Sequence, residues 1–354
     1  VMGGLAQFLP WQQALATEWL GGGERFAHAW LIHGLSGIGK RNFAMAAASA
    51  LLCEQPGQGG ACGVCQACRW VAGGNHPDLR RVRPDAVAAE EGDAAEESES
   101  QAKKTPSREI RVEQMRALSG WFNVGTHRGG WRVAVIYPAQ AMNTITANAL
   151  LKVLEEPPPR TVFLLTSDAP DLLLPTIVSR CRRLPLPVPE LPASIAWLHE
   201  QGVADPAEWL AAAGGAPLRA LQLARSGESA CPAWLAQFLD VLAGAGGGRA
   251  VPVAGTADAL ERVDAPVWVD ALQRAFVDLS LVAAGAVPRY FPSQGAVMAR
   301  VAAHSSPAML SAASKWLAQQ RAVAVHPLSP RLFVHSVLQR CAQACGSTRP
   351  AENA

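Results

Sequence analysis

The chain has 354 residues, 49% of them hydrophobic and 17% charged, with 31 Lys and Arg against 29 Asp and Glu for a formal charge of +2. That length exceeds one ordinary core and predicts two or three domains, while the near balance of charge excludes a protein whose whole surface tracks nucleic acid. No apolar run has the length of a bilayer-spanning helix and Val1 to Pro10 lacks the pattern of a secretion signal, so the expected setting is a soluble, cytoplasmic protein with no membrane partner.

The first element is a short buried strand, Ala29-Trp30-Leu31-Ile32-His33, and a helix containing Phe43 to Ala48 follows it. Between them runs Gly34-Leu35-Ser36-Gly37-Ile38-Gly39-Lys40-Arg41. In a phosphate-binding loop of this type, glycines let backbone N–H groups converge on the phosphates, Lys reaches the terminal phosphates, and Ser or Thr holds Mg²⁺. Gly34, Gly37, Gly39 and Lys40 keep the cradle. Arg41 stands where the hydroxyl belongs and cannot hold the metal. A glycine-rich turn that binds nothing is the plain alternative for such a motif taken alone.

Four of the eight cysteines come next: Cys53, Cys62, Cys65 and Cys68. The spacing is not that of a secreted disulfide framework. Four thiolates so close in sequence suit one tetrahedral Zn²⁺ at about 2.3 Å per sulfur, and with no open coordination position the role is structural. The same ligand class accepts an iron–sulfur cluster, whereas a redox pair leaves two cysteines superfluous.

His76 to Val82 reads as a turn into a second strand. From Asp85 to Ser100 there are seven acidic side chains and neither a basic nor an aromatic one, so 85–108 is expected to be a disordered surface insertion. Order returns with Ile110, Val112, Met115, Leu118, Trp121 and Phe122 at helical spacing. Arg132 to Tyr137 is then a continuous apolar strand of the kind buried in a parallel sheet. An active P-loop ATPase ends such a strand with an Asp–Glu pair that serves the Mg²⁺ shell and orients water; here it ends Tyr137-Pro138-Ala139-Gln140. Both losses predict that ATP is not hydrolysed and that nucleotide binding is weak or absent.

A helix from Thr144 to Glu156 stops at Pro157-Pro158-Pro159, and Thr161 to Ser167 forms the next buried strand. Strands alternating with helices predict a doubly wound parallel sheet through about Leu186. Pro185 to Pro189 marks a boundary, 190–228 a small helical unit, Gly244 to Gly248 a linker, and 257–345 a last helical region.

At Asn148-Ala149-Leu150-Leu151-Lys152-Val153-Leu154-Glu155-Glu156-Pro157-Pro158 and at Ser179-Arg180-Cys181 the sequence resembles the bacterial clamp-loader subunits of the AAA+ family. The four-cysteine insertion behind the loop helix and His326-Pro327-Leu328-Ser329-Pro330-Arg331-Leu332 match as well. The resemblance implies an α/β chain of three domains: an AAA+ P-loop parallel-sheet domain over 1–188 with a zinc module at 53–68 and the insertion at 85–108, a helical lid over 189–245, and an all-helical collar over 246–354. It implies a non-hydrolysing subunit of the DNA polymerase III holoenzyme, a nucleotidyltransferase. Its partners would be gamma/tau and delta subunits in a hetero-pentameric ring, the sliding clamp and, through the complex, primed DNA. By the same resemblance Arg180 is an arginine finger presented to the neighbour's ATP, a task suited to a planar, always charged fork. Arg219 stands where related ATPases carry a sensor arginine, a structural ion pair being the alternative. Cys181 reads as a buried packing residue. The competing functions are an active gamma/tau-like ATPase, disfavoured at Arg41 and Tyr137, and a zinc-dependent nucleic-acid-binding module, for which only Arg69 and Trp70 lie near the cysteines.

Overall fold

Short apolar runs that alternate with helices give five strands: β1 (Ala29–His33), β2 (Leu79–Val82), β3 (Arg132–Ile136), β4 (Thr161–Ser167) and β5 (Arg182–Pro185). The computed structural model describes residues 4–22, 26–57, 60–92, 106–122, 126–127, 130–226, 229–244, 251–324 and 329–346. All the strands pair in parallel in the order β2-β3-β4-β1-β5. β3 and β4 are buried at every position and the edge strands β2 and β5 are not, which is why only the central strands read as near-continuous apolar runs. β1 and β5 run in register from Trp30 opposite Arg182 to His33 opposite Pro185.

Helices α1 (Gln13–Leu20), α2 (Lys40–Leu52), α3 (Gln66–Ala72), α4 (Asp85–Glu90), α5 (Val112–Phe122), α6 (Thr144–Glu155) and α7 (Pro175–Arg180) accompany this sheet. α2 packs on β1, β3 and β4. Alternate strand residues Leu31, Ile136, Phe163 and Leu165 form a core with Met115 and Leu118 of α5, Leu150 and Leu154 of α6, and Ile177 of α7. The side chain of Asn143 caps α6 by accepting from the Thr146 amide at 3.0 Å, and the helix ends one residue short of the expected Glu156. The acidic insertion differs from expectation where it is described: it opens on α4, and its far end returns to the same place, Ala86 N donating to Ser107 O at 3.0 Å. The rest of it, 93–105, lies outside the described residues.

The chain divides into two compact units, Val1–Ala193 and Ser194–Ala354. In the second, α8 (Leu191–Glu200, its first residues in the first unit), α9 (Pro206–Ala212) and α10 (Pro217–Ser226) enclose a small core of Leu198, Val203, Leu210, Ala213, Ala220 and Leu221. The larger core, centred on Trp268, Leu272 and Phe276, is made by α11 (Ala233–Gly244), α12 (Ala254–Leu260), α13 (Ala265–Ala283), α14 (Gly295–Ala303), α15 (Pro307–Val323) and α16 (Pro330–Gly346). Gly244 is the last residue of α11, and the remainder of the expected glycine linker, like His326-Pro327-Leu328, lies outside the described residues. No described helix is long and apolar enough to cross a membrane.

Candidate nucleotide and metal sites

The glycine loop leaves the carboxyl end of β1 and feeds α2, as a phosphate cradle does. Its glycines are needed as glycines. Gly37 and Gly39 have φ of 82° and 94°, and a Cβ at Gly34, φ 152°, would meet the Leu186 carbonyl oxygen at 2.7 Å. Ile38 is fully buried beneath the loop. Gln12 holds the loop from outside, donating to the Ile38 and Gly39 carbonyls at 3.2 and 2.9 Å, and the Trp11 indole donates to Ile38 O at 3.1 Å.

Lys40 does not project from this cradle. Its side chain is 5% exposed and its ammonium donates to Gly34 O at 2.9 Å and Leu35 O at 2.5 Å, while Asp168 Oδ1, just past β4, lies 2.5 Å away. The chain therefore supplies its own anion to the lysine. His33, beside them, is held below its ordinary pKa by burial first and then by Arg183 and Lys40, with Asp171 pulling the other way.

Arg41, in the first turn of α2, is 55% exposed and pairs with Glu91 just past α4, Nη1 to Oε1 at 2.9 Å. Glu91 Oε2 accepts from the Tyr137 hydroxyl at 2.9 Å and lies 2.9 Å from Arg83 Nε. One carboxylate thus joins both positions where the ATPase groups are replaced, the loop end and the β3 end. Burial first, then Glu91, pushes the Tyr137 hydroxyl well above its usual range. Arg83 is buried in this group, and Arg80 lies over the Trp121 ring at 5.0 Å. Sequence reading missed Glu91, Asp168 and Gln12, since none is near the loop in the chain.

The four predicted cysteines come together, all sulfurs within 4.8 Å of one another. Cys53 and Cys65 sulfurs are 3.9 Å apart, as are those of Cys62 and Cys68. A tetrahedron with metal–sulfur bonds of about 2.3 Å has edges of about 3.8 Å, so the set fits one metal ion, and the separations are far too long for disulfides. Backbone amides of Cys62, Cys65 and Cys68 point at the sulfurs of Cys53, Cys62 and Cys65 at 3.2, 3.4 and 3.4 Å. The Cys62 thiol is drawn down to about 6 by the amides of Val64 and Cys65, and burial, then Cys65, pushes Cys68 up to about 12.

Arg180 is the last residue of α7 and its side chain is 34% exposed. Its guanidinium donates to Thr176 O at 3.0 Å and pairs with Glu155 at the end of α6. Cys181 is buried in the sheet core, which pushes its thiol up to about 12. In the second unit, Arg219 pairs with Asp270 at 2.6 Å.

A family model described as DNA polymerase III, delta subunit, matches residues 20–190. DNA polymerase III subunit delta′ of Pseudomonas aeruginosa is 44% identical over 223 residues, 62% of each chain. That of Escherichia coli K12 is 33% identical over 199 residues, 55% of this chain and 54% of that one. DNA polymerase III subunit tau of Salmonella typhimurium is 34% identical over 157 residues, 44% of this chain and 21% of that one. The chain spans at most about three fifths of the length of these relatives. A crystal structure of a gamma subunit-related protein from Thermotoga maritima is a remote likeness at 15% identity and TM-score 0.44, covering 94% of this chain and 99% of that one. Residues 20–190 thus match the DNA polymerase III delta-subunit model, and delta′ subunits are among the relatives that the chain resembles.

Proposed function

We propose that this chain is a non-hydrolysing subunit of the DNA polymerase III clamp loader, acting in the cytoplasm within a hetero-pentameric ring with gamma/tau and delta subunits to load the sliding clamp on primed DNA. The observation that carries the reading is the Arg41–Glu91 pair, which engages the side chain standing at the loop position where a hydroxyl would hold Mg²⁺. Lys40 closing on Asp168 supports it, since the ammonium that would meet terminal phosphates is already neutralised. In this reading Arg180 serves ATP held by the neighbouring gamma/tau subunit, leaving Glu155 to do so. Cys53, Cys62, Cys65 and Cys68 hold one Zn²⁺, which would tie α3 to the end of α2 and supply no chemistry to the loop. Residues 1–188, 189–245 and 246–354 are the sheet domain, lid and collar.

The test is to mix the full chain with purified gamma/tau and delta, size the product and measure ATP turnover alone and in the mixture. The expected result is a defined assembly and no turnover by the chain alone. Mg²⁺-dependent turnover by the chain alone, abolished by Lys40→Ala, would establish the active ATPase instead. Failure to assemble, together with zinc-dependent binding of DNA, would establish the nucleic-acid module.

A further inference from the structure

In the second unit, α10, α13 and α15 converge three guanidiniums on one carboxylate. Asp270 Oδ2 lies 2.6 Å from Arg219 Nη2 and 3.1 Å from Arg274 Nε, and Oδ1 lies 3.2 Å from Arg321 Nη2. Arg274 also donates to the Ala212 carbonyl and sits over the Tyr290 ring at 5.3 Å, and Arg289 lies against the same ring at 5.5 Å. Asp278, a second carboxylate on α13, is fully buried and accepts from the backbone amides of Arg289, Tyr290 and Phe291. The side-chain cations therefore outnumber the one carboxylate placed among them.

Such crowding opposes itself. Burial lowers the Arg274 pKa, and Arg219 and Arg321 lower it further against the pull of Asp270. A purely structural network gains most when its charges match. This one is layered: Asp270 at the base is 12% exposed, while Arg219 and Arg321 are 32% and 53% exposed. Each commits one terminal nitrogen to Asp270. Among the described residues the Nε and Nη1 groups of Arg219 meet no acceptor, and Arg321 Nη1 has only Gln273 Oε1 at 3.4 Å.

We propose that Arg219 and Arg321, backed by Arg274, form a binding site for a phosphate-class oxyanion, with Asp270 as the positioning residue that holds the two forks side by side. A guanidinium fork matches two oxygens of a phosphate, and a second fork beside it suits adjacent phosphate groups. The site lies wholly within the second unit and shares no residue with the glycine loop.

The probe is inorganic pyrophosphate, titrated into the full chain at constant ionic strength by calorimetry, with the NMR signals of the arginine Nε–H groups as the local readout. Saturable heat is expected, with the Arg219 and Arg321 signals moving along the same curve. Arg219→Gln and Arg321→Gln should each weaken binding about tenfold, as for one charge-assisted hydrogen bond. Asp270→Asn should weaken binding and let the Arg219 and Arg321 signals move on separate curves, since the forks lose the carboxylate that holds them side by side; if that variant fails to fold, the exposed Arg321→Gln decides. No saturable heat, heat unchanged in Arg321→Gln, or unmoved arginine signals would overturn the proposal. A short DNA duplex added as competitor separates the sources: displacement that weakens steeply with salt assigns the site to a nucleic-acid backbone, and no displacement assigns it to free polyphosphate.

Discussion

The guanidinium of Arg41 lies 2.9 Å from the carboxylate of Glu91, although the two residues stand 50 positions apart in the chain. Arg41 occupies the first turn of α2, and through Glu91 it is linked to Arg83 past β2 and to Tyr137 past β3. The start of α2 and the segments after β2 and β3, all at the carboxyl edge of the sheet, thereby share one anion. Glu91→Gln should cost about 2–4 kcal/mol, because a largely buried carboxylate with three partners loses its charge. Arg41→Ala, at an exposed side chain, should cost under about 1 kcal/mol. Urea unfolding of the two variants checks this, and equal losses would refute the picture of Glu91 as the hub.

Lys40 is expected to behave as a structural residue in the isolated chain. Lys40→Ala leaves the carbonyls of Gly34 and Leu35 without their donor and should destabilise the fold by about 1–3 kcal/mol. Asp168→Asn, at a half-exposed partner, should cost less. Thermal melts of the two variants read the difference; an unchanged melt for Lys40→Ala would mean that the ammonium does not hold the loop.

One metal ion per chain is expected on Cys53, Cys62, Cys65 and Cys68. Elemental analysis should find zinc, and the double variant Cys62→Ala/Cys65→Ala should lose it while circular dichroism keeps the sheet signature, since β1, β3 and β4 have their own apolar core. Full metal occupancy in that variant, or iron in the native chain, would contradict the assignment.

The Arg180–Glu155 pair is exposed on both sides, so its contribution to stability should be at most about 1 kcal/mol. Arg180→Ala should therefore fold and assemble normally while lowering the DNA- and clamp-stimulated ATP turnover of a ring reconstituted with gamma/tau and delta. Arg180→Lys should restore little, for an ammonium lacks the planar fork. Equal turnover in wild-type and Arg180→Ala rings would reduce the residue to the surface pair it forms with Glu155.

His33 predicts a pH dependence. Because burial and the neighbouring cations hold its pKa below 6.5 in the folded state, the unfolded chain binds its proton more readily. The associated stability is complete above the unfolded value and is lost as pH falls through the lower folded value. Denaturant unfolding between about pH 7 and pH 5 should show this slope, and His33→Gln should flatten it. An unchanged slope in that variant would assign the acid sensitivity to other groups.

The sheet was legible because its central strands carry their own signal. β1 and β4 fall on the expected residues, since a strand buried on both faces carries a near-continuous apolar run. The cysteine cluster was legible for a different reason: its ligands are local, so spacing alone brings them together. Glu91 and Asp168 carry no such signal, and each meets its cation only after the sheet has aligned segments far apart in sequence. Glu91 was hidden further by composition, because an acidic stretch without aromatics reads as unstructured although its first turns form α4 against Ser107. Asp270 was unreadable likewise, an acid whose three arginine partners come from α10, from the next turn of its own helix and from α15.

The parallel register of β1 and β5 carries a further consequence. The glycine loop follows the last residue of β1, whereas Arg180 precedes the first residue of β5, so the two stand at opposite ends of adjacent strands running the same way. Four residues of strand, about 13 Å, lie between those ends. The arginine of one molecule cannot bend back to its own loop, and a contact through it has a giver and a receiver. Such a contact joins two different surfaces, and where the partner does not return it each molecule is left free to give to one neighbour and receive from another.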